Sequence, residues 1–186
     1  RGDLHVHTAY SDGEATIEDR NDPQWGRVTV ENGPDAATVG QAGLASMFAY
    51  TAYAGDSPGV IDRDQFRNQG SDGSDSLYAY DIEYASGWHA DRLHAYERDD
   101  RTAYVWNVTF VDEANATTFH DGYEQVLEHW HGERRPAGGE TVWTFEGSGS
   151  RFGGAVWVER DGNAVTVVKA PSASELESVY APAGSD

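Results

Sequence analysis

The chain has 186 residues, 32 Asp plus Glu against 13 Lys plus Arg, and a formal net charge of −19, with Lys169 its single lysine. That balance leaves no basic stripe to hold phosphates, which excludes a grip on nucleic acid, and the absence of cysteine excludes disulfides and thiolate metal sites. No apolar run approaches the roughly 18 residues of a membrane span, and Arg1 at the head, in place of an initiator methionine, reads as a processed or trimmed product.

Residues 1–34 are polar and without long periodicity, an extended arm ending at the turn signal Asn32-Gly33-Pro34. From Asp35 to about Tyr53 the residues Val39, Ala42, Ala45, Met47, Phe48, Ala49 and Tyr53 predict a largely apolar helix. Its internal glycines cost about 1 kcal/mol each relative to alanine unless close packing requires them. Residues 54–90 are rich in Gly, Asp, Ser and Pro and read as a long, mostly irregular connection that packs through its aromatic residues. Arg92–Arg98 and Thr102–Val111 then predict two strands about the turn Asp99-Asp100. In the second, Tyr104, Trp106, Val108 and Phe110 share one face, and Val105, Asn107 and Thr109 the other.

Asp112 is placed to cap a helix through about His131, with a buried stripe of Phe119, Tyr123, Val126, Leu127 and Trp130. Residues 133–139 break it. Thr141–Glu146 predicts a further strand, and Ala155–Arg160 with Asn163–Lys169 a hairpin around Asp161-Gly162. Ser172 opens a short last helix through Val179. From residue 92 the order is β-β-α-β-β-β-α, an α+β fold with helices on one face of an antiparallel sheet. The expected organisation is an arm over 1–34 and one domain over 35–186.

The acid is spread along the whole chain rather than gathered in a tail. In dilute buffer such a surface repels itself; at molar salt the Debye length shrinks to roughly 3 Å and the repulsion is screened. Carboxylates also hold water and hydrated cations, whereas lysine stems add apolar surface. Loss of lysine with retention of arginine therefore fits a protein that works in brine, with salt cations at its acidic surface as its expected company. Asp72-Gly73-Ser74-Asp75 could hold Ca²⁺ but lacks the spaced ligands and closing Glu of a calcium loop, which favours a solvated turn. No resident cofactor is expected.

Two Asn-X-Thr triplets, at Asn107 and Asn115, are candidate glycan acceptors in an exported protein. The segment Asp3-Leu4-His5-Val6-His7-Thr8-Ala9-Tyr10-Ser11-Asp12-Gly13 resembles the opening signature of the polymerase-and-histidinol-phosphatase metalloenzymes. That resemblance implies metal-dependent phosphoester hydrolysis, with His5 and His7 on one side of a strand as metal ligands. It covers about eleven residues, and no histidine follows until His89, so the family's later ligand clusters have no counterpart. Two imidazoles alone leave an ion mostly hydrated. His120, His129 and His131 do not share a helical face and read as surface or helix-end residues.

From Gly40 onward the chain resembles the C-terminal part of a haloarchaeal secreted surface (lipo)protein family whose upstream half is similar to a zinc metallopeptidase. The residues that carry it are Gly40 to Phe48, Gly87-Trp88, Asp91-Arg92-Leu93, Tyr96, Tyr104-Val105-Trp106, Phe119, Tyr123, Val165, Val167, Val168, Ala170 and Pro171. The resemblance implies export and salt adaptation, and no catalytic residue in this stretch. The expected function is a non-catalytic extracellular module at the surface of a halophilic archaeon, acting through contacts with itself or another surface protein. Leu4, Val6 and Thr8 alternate with the histidines, so the arm could join another subunit's open sheet edge as an added strand. The alternatives are the metal-dependent phosphoesterase and an accessory domain of a secreted metallopeptidase.

Overall fold

A computed structural model describes residues 24–29, 31, 33–55, 58–67, 77–137, 140–145 and 153–184. Its centre is one antiparallel sheet of seven strands: β1 (Gly26–Arg27), β2 (Trp88–Arg98), β3 (Arg101–Phe110), β4 (Glu133–Ala137), β5 (Glu140–Phe145), β6 (Gly154–Asp161) and β7 (Ala164–Ala170). Their spatial order is β1-β2-β3-β7-β6-β5-β4. The helix α3 (Glu113–His129) carries the chain from β3 to the far edge, and three successive antiparallel steps bring it back to β3. Three further helices are α1 (Gly40–Thr51), α2 (Arg63–Phe66) and α4 (Leu176–Val179). This is an α+β fold.

Local chemistry explains the joints. Asp99 and Asp100 both adopt positive φ, 50° and 61°, as a two-residue hairpin turn of this hand demands, and Asp tolerates that region. The β6–β7 turn falls one residue later than the sequence suggests: Asp161 pairs with Ala164, leaving Gly162 at φ 54° with Asn163 as the corner. The Asp112 side chain accepts from the Asn115 N–H at 2.9 Å and caps α3.

Alternation along β3 divides two cores. Trp106, Val108 and Phe110 face α1 and α3, together with Leu44, Phe48, Phe119, Tyr123, Val126 and Leu127. Val105 faces the other way, into a second core with Trp157, Val168, Leu176, Val179 and Trp25. Helices therefore lie on both faces, not one. The short α4 segment covers apolar alternate residues that a one-sided sheet would leave wet.

Further expectations are corrected. The sheet contains an extra strand, β4, where Glu133-Arg134-Arg135-Pro136 reads as a break; it is the sheet's edge, where charge and proline are tolerated because the outer side makes no ladder. The arm does not extend to residue 34: Trp25 is buried in the second core and Gly26–Arg27 pair with Glu97 and Tyr96. Within the mostly irregular stretch 54–90 the described residues include α2, a 3₁₀ turn at Glu83–Ala85 and the start of β2. The apolar helix begins at Gly40 rather than Asp35, because Ala37 is bonded in both directions to Leu93 of β2 (2.9 and 2.8 Å).

Candidate functional site

Among the described residues, Val28, Val39 and Val111 are exposed apolar side chains away from the end of α1 and α2. The other exposed large apolar side chains, Tyr50, Tyr53, Leu77, Tyr78 and Tyr80, lie around the end of α1 and α2. Phe66 of α2 is buried and anchors two of them: Tyr78 stacks on its ring at 5.0 Å and Tyr80 meets it edge-on at 5.9 Å. Tyr50 stacks on the buried Trp130 at 5.6 Å. The Arg63 guanidinium sits 4.7 Å over the Tyr53 ring and donates from Nε to the Ala52 carbonyl at 2.9 Å. Beside these rings runs an open groove of about 710 Å³ whose wall includes Pro58, Ile61, Asp62, Arg63, Asp64 and Arg67. Asp62 and Gln65 form a reciprocal cap that holds α2 in place, with Gln65 Oε1 accepting from the Asp62 N–H at 2.7 Å.

The groove's far wall is pinned by a histidine. Both ring nitrogens of His129, at the end of α3, address backbone carbonyls: Nε2 that of Ala54 at 2.7 Å and Nδ1 that of Pro58 at 3.2 Å. A buried imidazole so placed ties the loop after α1 to α3.

Most other buried polar groups also bind element to element. Asp91 is the clearest case. Its Oδ1 accepts from the Gly40 N–H at 2.8 Å and Trp88 Nε1 at 3.1 Å, and its Oδ2 from the Val39 N–H at 2.7 Å and Trp106 Nε1 at 3.1 Å. One strand carboxylate thus caps α1 and fixes two indoles. Arg27 Nη2 donates to the Asp35 carbonyl and lies 2.6 Å from His94 Nδ1. Glu175 accepts from Arg98, from Arg101 at 2.8 Å and from the Ser172 hydroxyl at 2.9 Å. Burial alone would raise its carboxyl; the Ser172 bond and the Arg101 and Arg98 charges outweigh that and hold it below the usual Glu value. Arg98 also covers the Trp25 ring at 4.4 Å.

On the first face Tyr104 and Tyr123 hydrogen-bond to each other. Burial raises both phenols, Tyr123 further because a phenolate at Tyr104 would add a second negative charge beside it. Lys169 stands opposite Tyr104 in the β3–β7 ladder, and partial burial pulls its ammonium below the usual Lys value.

His5 and His7, Leu4, Val6 and Thr8, and the acidic run 72–75 lie outside the described residues. Asn107 sits in mid-β3 and Asn115 in the first turn of α3. His120 lies 3.1 Å from its neighbour Asp121, and His131 follows the helix at positive φ, so the three C-terminal histidines are dispersed. Among the described residues no three His, Asp or Glu side chains are grouped as a metal site would need. Sequence reasoning missed the roles of Asp91 and His129, since all their partners except the Trp88 indole are backbone groups or an indole 15 to 75 residues away.

A family model matches residues 27–180 and is described only as a domain of unknown function, DUF8575. The chain belongs to the DUF8575 family. The DUF8575 match runs from Arg27 in β1 to just past α4, so it takes in β2 to β7, the first core, the tyrosine surface and all of the second core except Trp25 and Ala183. No curated protein and no solved structure matches the chain.

Proposed function

We propose that this DUF8575 domain is a non-catalytic contact module of a halophilic archaeal cell surface, which binds another surface polypeptide through its tyrosine–arginine groove. The observation that carries the reading is the set of exposed tyrosines held by α2 and the residue after it, with Tyr53 beneath the Arg63 guanidinium, Tyr78 bridged to Arg67, and Tyr78 and Tyr80 on the Phe66 ring, on a molecule of strongly acidic net charge. Tyr and Arg are, with Trp, the side chains most enriched where binding energy concentrates in protein interfaces. Stacking and apolar burial also suit brine, where exposed ion pairs are screened and give little. The resemblance of residues 40–171 to a haloarchaeal secreted family and the net charge of −19 support the location.

Two measurements test the reading. Far-ultraviolet circular dichroism during dialysis from 4 M to low salt should show loss of structure below about 1 M, where repulsion between carboxylates revives; a fold unchanged in low-salt buffer counts against the brine. A photo-crosslinker placed at Tyr80 should join the protein to one discrete polypeptide in its native host. The same group at Val111, also exposed but isolated from the tyrosines, should not. Equal labelling at both positions removes the groove as the contact surface.

A further inference from the structure

Among the described residues, buried apolar side chains cover only part of the second face of the sheet. Beneath α4 the alternate residues Val105, Val168, Ala170 and Trp157 are buried. One ladder step further along, the cross-strand row Arg92–Asn107–Thr166–Glu159 is exposed or half-buried, and beyond it lie the small pair Thr109 and Ala164. A polar, small-residue patch thus occupies the central strands β3 and β7.

Asn107-Val108-Thr109 is one of the two acceptor triplets, and the strand gives it a geometry the other lacks. Alternate residues of a strand project to the same side about 6.6 Å apart, so Asn107 and Thr109 both point out of the open half-face. The Asn107 amide is oriented: its Oδ1 accepts from the Thr166 hydroxyl at 2.7 Å, and its Nδ2 has no hydrogen-bond partner among the described residues. At Asn115 the chain is helical, so residues two apart diverge by roughly 200°. The Thr117 hydroxyl is turned back to the Glu113 carbonyl at 2.8 Å. The Asn115 amide lies against Gly87: a Cβ built there would stand 2.5 Å from its Oδ1 and 2.9 Å from its Nδ2. A substituent on that nitrogen would have to displace packed backbone.

We propose that Asn107 carries an N-linked glycan that covers the open half of the second sheet face, and that Asn115 carries none. The inference rests on the extracellular reading above. The transfer joins Asn107 Nδ2 to the anomeric carbon of a sugar held on a lipid phosphate. The sugar's C–O bond to phosphate breaks, the lipid phosphate leaves with the electron pair, and one amide proton is released. The product is still an amide whose oxygen accepts from Thr166, so the strand contact survives attachment. The neighbouring side chains on that face, Thr109 and Ala164, are small and not fully buried.

The test is intact-mass and glycopeptide mass spectrometry of the full chain recovered from outside a host that exports and N-glycosylates it. Wild type should carry one glycan, at Asn107. Asn107→Gln and Thr109→Ala should lose that mass, Thr109→Ser should retain it, and Asn115→Gln should leave it unchanged. Thr109→Ala keeps Asn107 and its bond to Thr166, so its loss of glycan cannot be ascribed to a failed strand. An exported chain bare at Asn107, or modified at Asn115 alone, overturns this inference and leaves the location standing. A chain kept inside its native host and unmodified defeats the location, and this inference with it.

Discussion

Replacing Asp91 by Asn changes almost no volume and tests the carboxylate that joins β2 to α1. Four N–H donors converge on its two oxygens, two from the start of α1 and two from indoles, at 2.7 to 3.1 Å. An amide keeps one oxygen and presents an NH₂ group to the other pair, so two donors lose their acceptor and face a third. Each such loss costs about 1 to 3 kcal/mol when the group is buried. Removing the negative charge from the helix N-terminus adds about 0.3 to 1 kcal/mol. The expected destabilisation is therefore roughly 3 to 6 kcal/mol, a large share of the roughly 5 to 15 kcal/mol typical of a domain. For a chain of this length it should lower Tm by about 6 °C or more. Thermal unfolding at fixed high salt, followed by tryptophan fluorescence, reports it directly because Trp88 and Trp106 are two of the partners. A Tm within about 2 °C of wild type would show that the four bonds are not what holds α1 to the sheet.

Gly122→Ala should destabilise although alanine is the better helix former, because the new Cβ would stand 2.3 Å from the Tyr84 ring; equilibrium denaturation should find the loss largely relieved when Tyr84→Ala is added. Glu175 has its carboxyl pKa depressed by folding, so its contribution is complete above the unfolded value of about 4.3 and disappears as pH falls through the folded value. Glu175→Gln should accordingly lower stability at pH 7 and converge with wild type in acid, as read by denaturant midpoints across pH. Tyr104 and Tyr123 are shifted the opposite way, with the neutral form favoured by the fold, so stability should fall as pH rises above about 10; absorbance at 295 nm should show two phenols ionising only as the protein unfolds. If residues 4–8 drive strand addition, deleting residues 1–12 should abolish ordered assemblies at high salt while the monomer stays folded, and assemblies that survive the deletion remove the arm from the assembly reading.

Much of the sheet is legible from local chemistry. The alternation along β3, the two-aspartate turn and the Phe119–Trp130 stripe with its Asp112 cap each depend on neighbours within a few residues, which the sequence displays. The strand β4 is not legible, because an edge strand tolerates the charges and proline that argue against strand elsewhere. Trp25 is a single large residue in a polar stretch, and its burial is decided by Arg98 and by Ser178, to which its Nε1 donates at 3.0 Å. The tyrosine surface was equally hidden: Tyr53, Tyr78 and Tyr80 are spread over 28 positions and meet only because Arg63 and Phe66 of α2 sit between them.

By itself the sequence determined the electrostatic character of the protein, its α+β composition and the local pairing of its hairpins, since charge and short-range periodicity need no folded partner. Tertiary structure alone decided that helices cover both faces, that Asp91 and His129 act as ties, and that the Asn115 amide packs against Gly87 while that of Asn107 bonds to Thr166. Those outcomes depend on which distant backbone groups are brought within hydrogen-bond reach, and a one-dimensional pattern does not carry that distance.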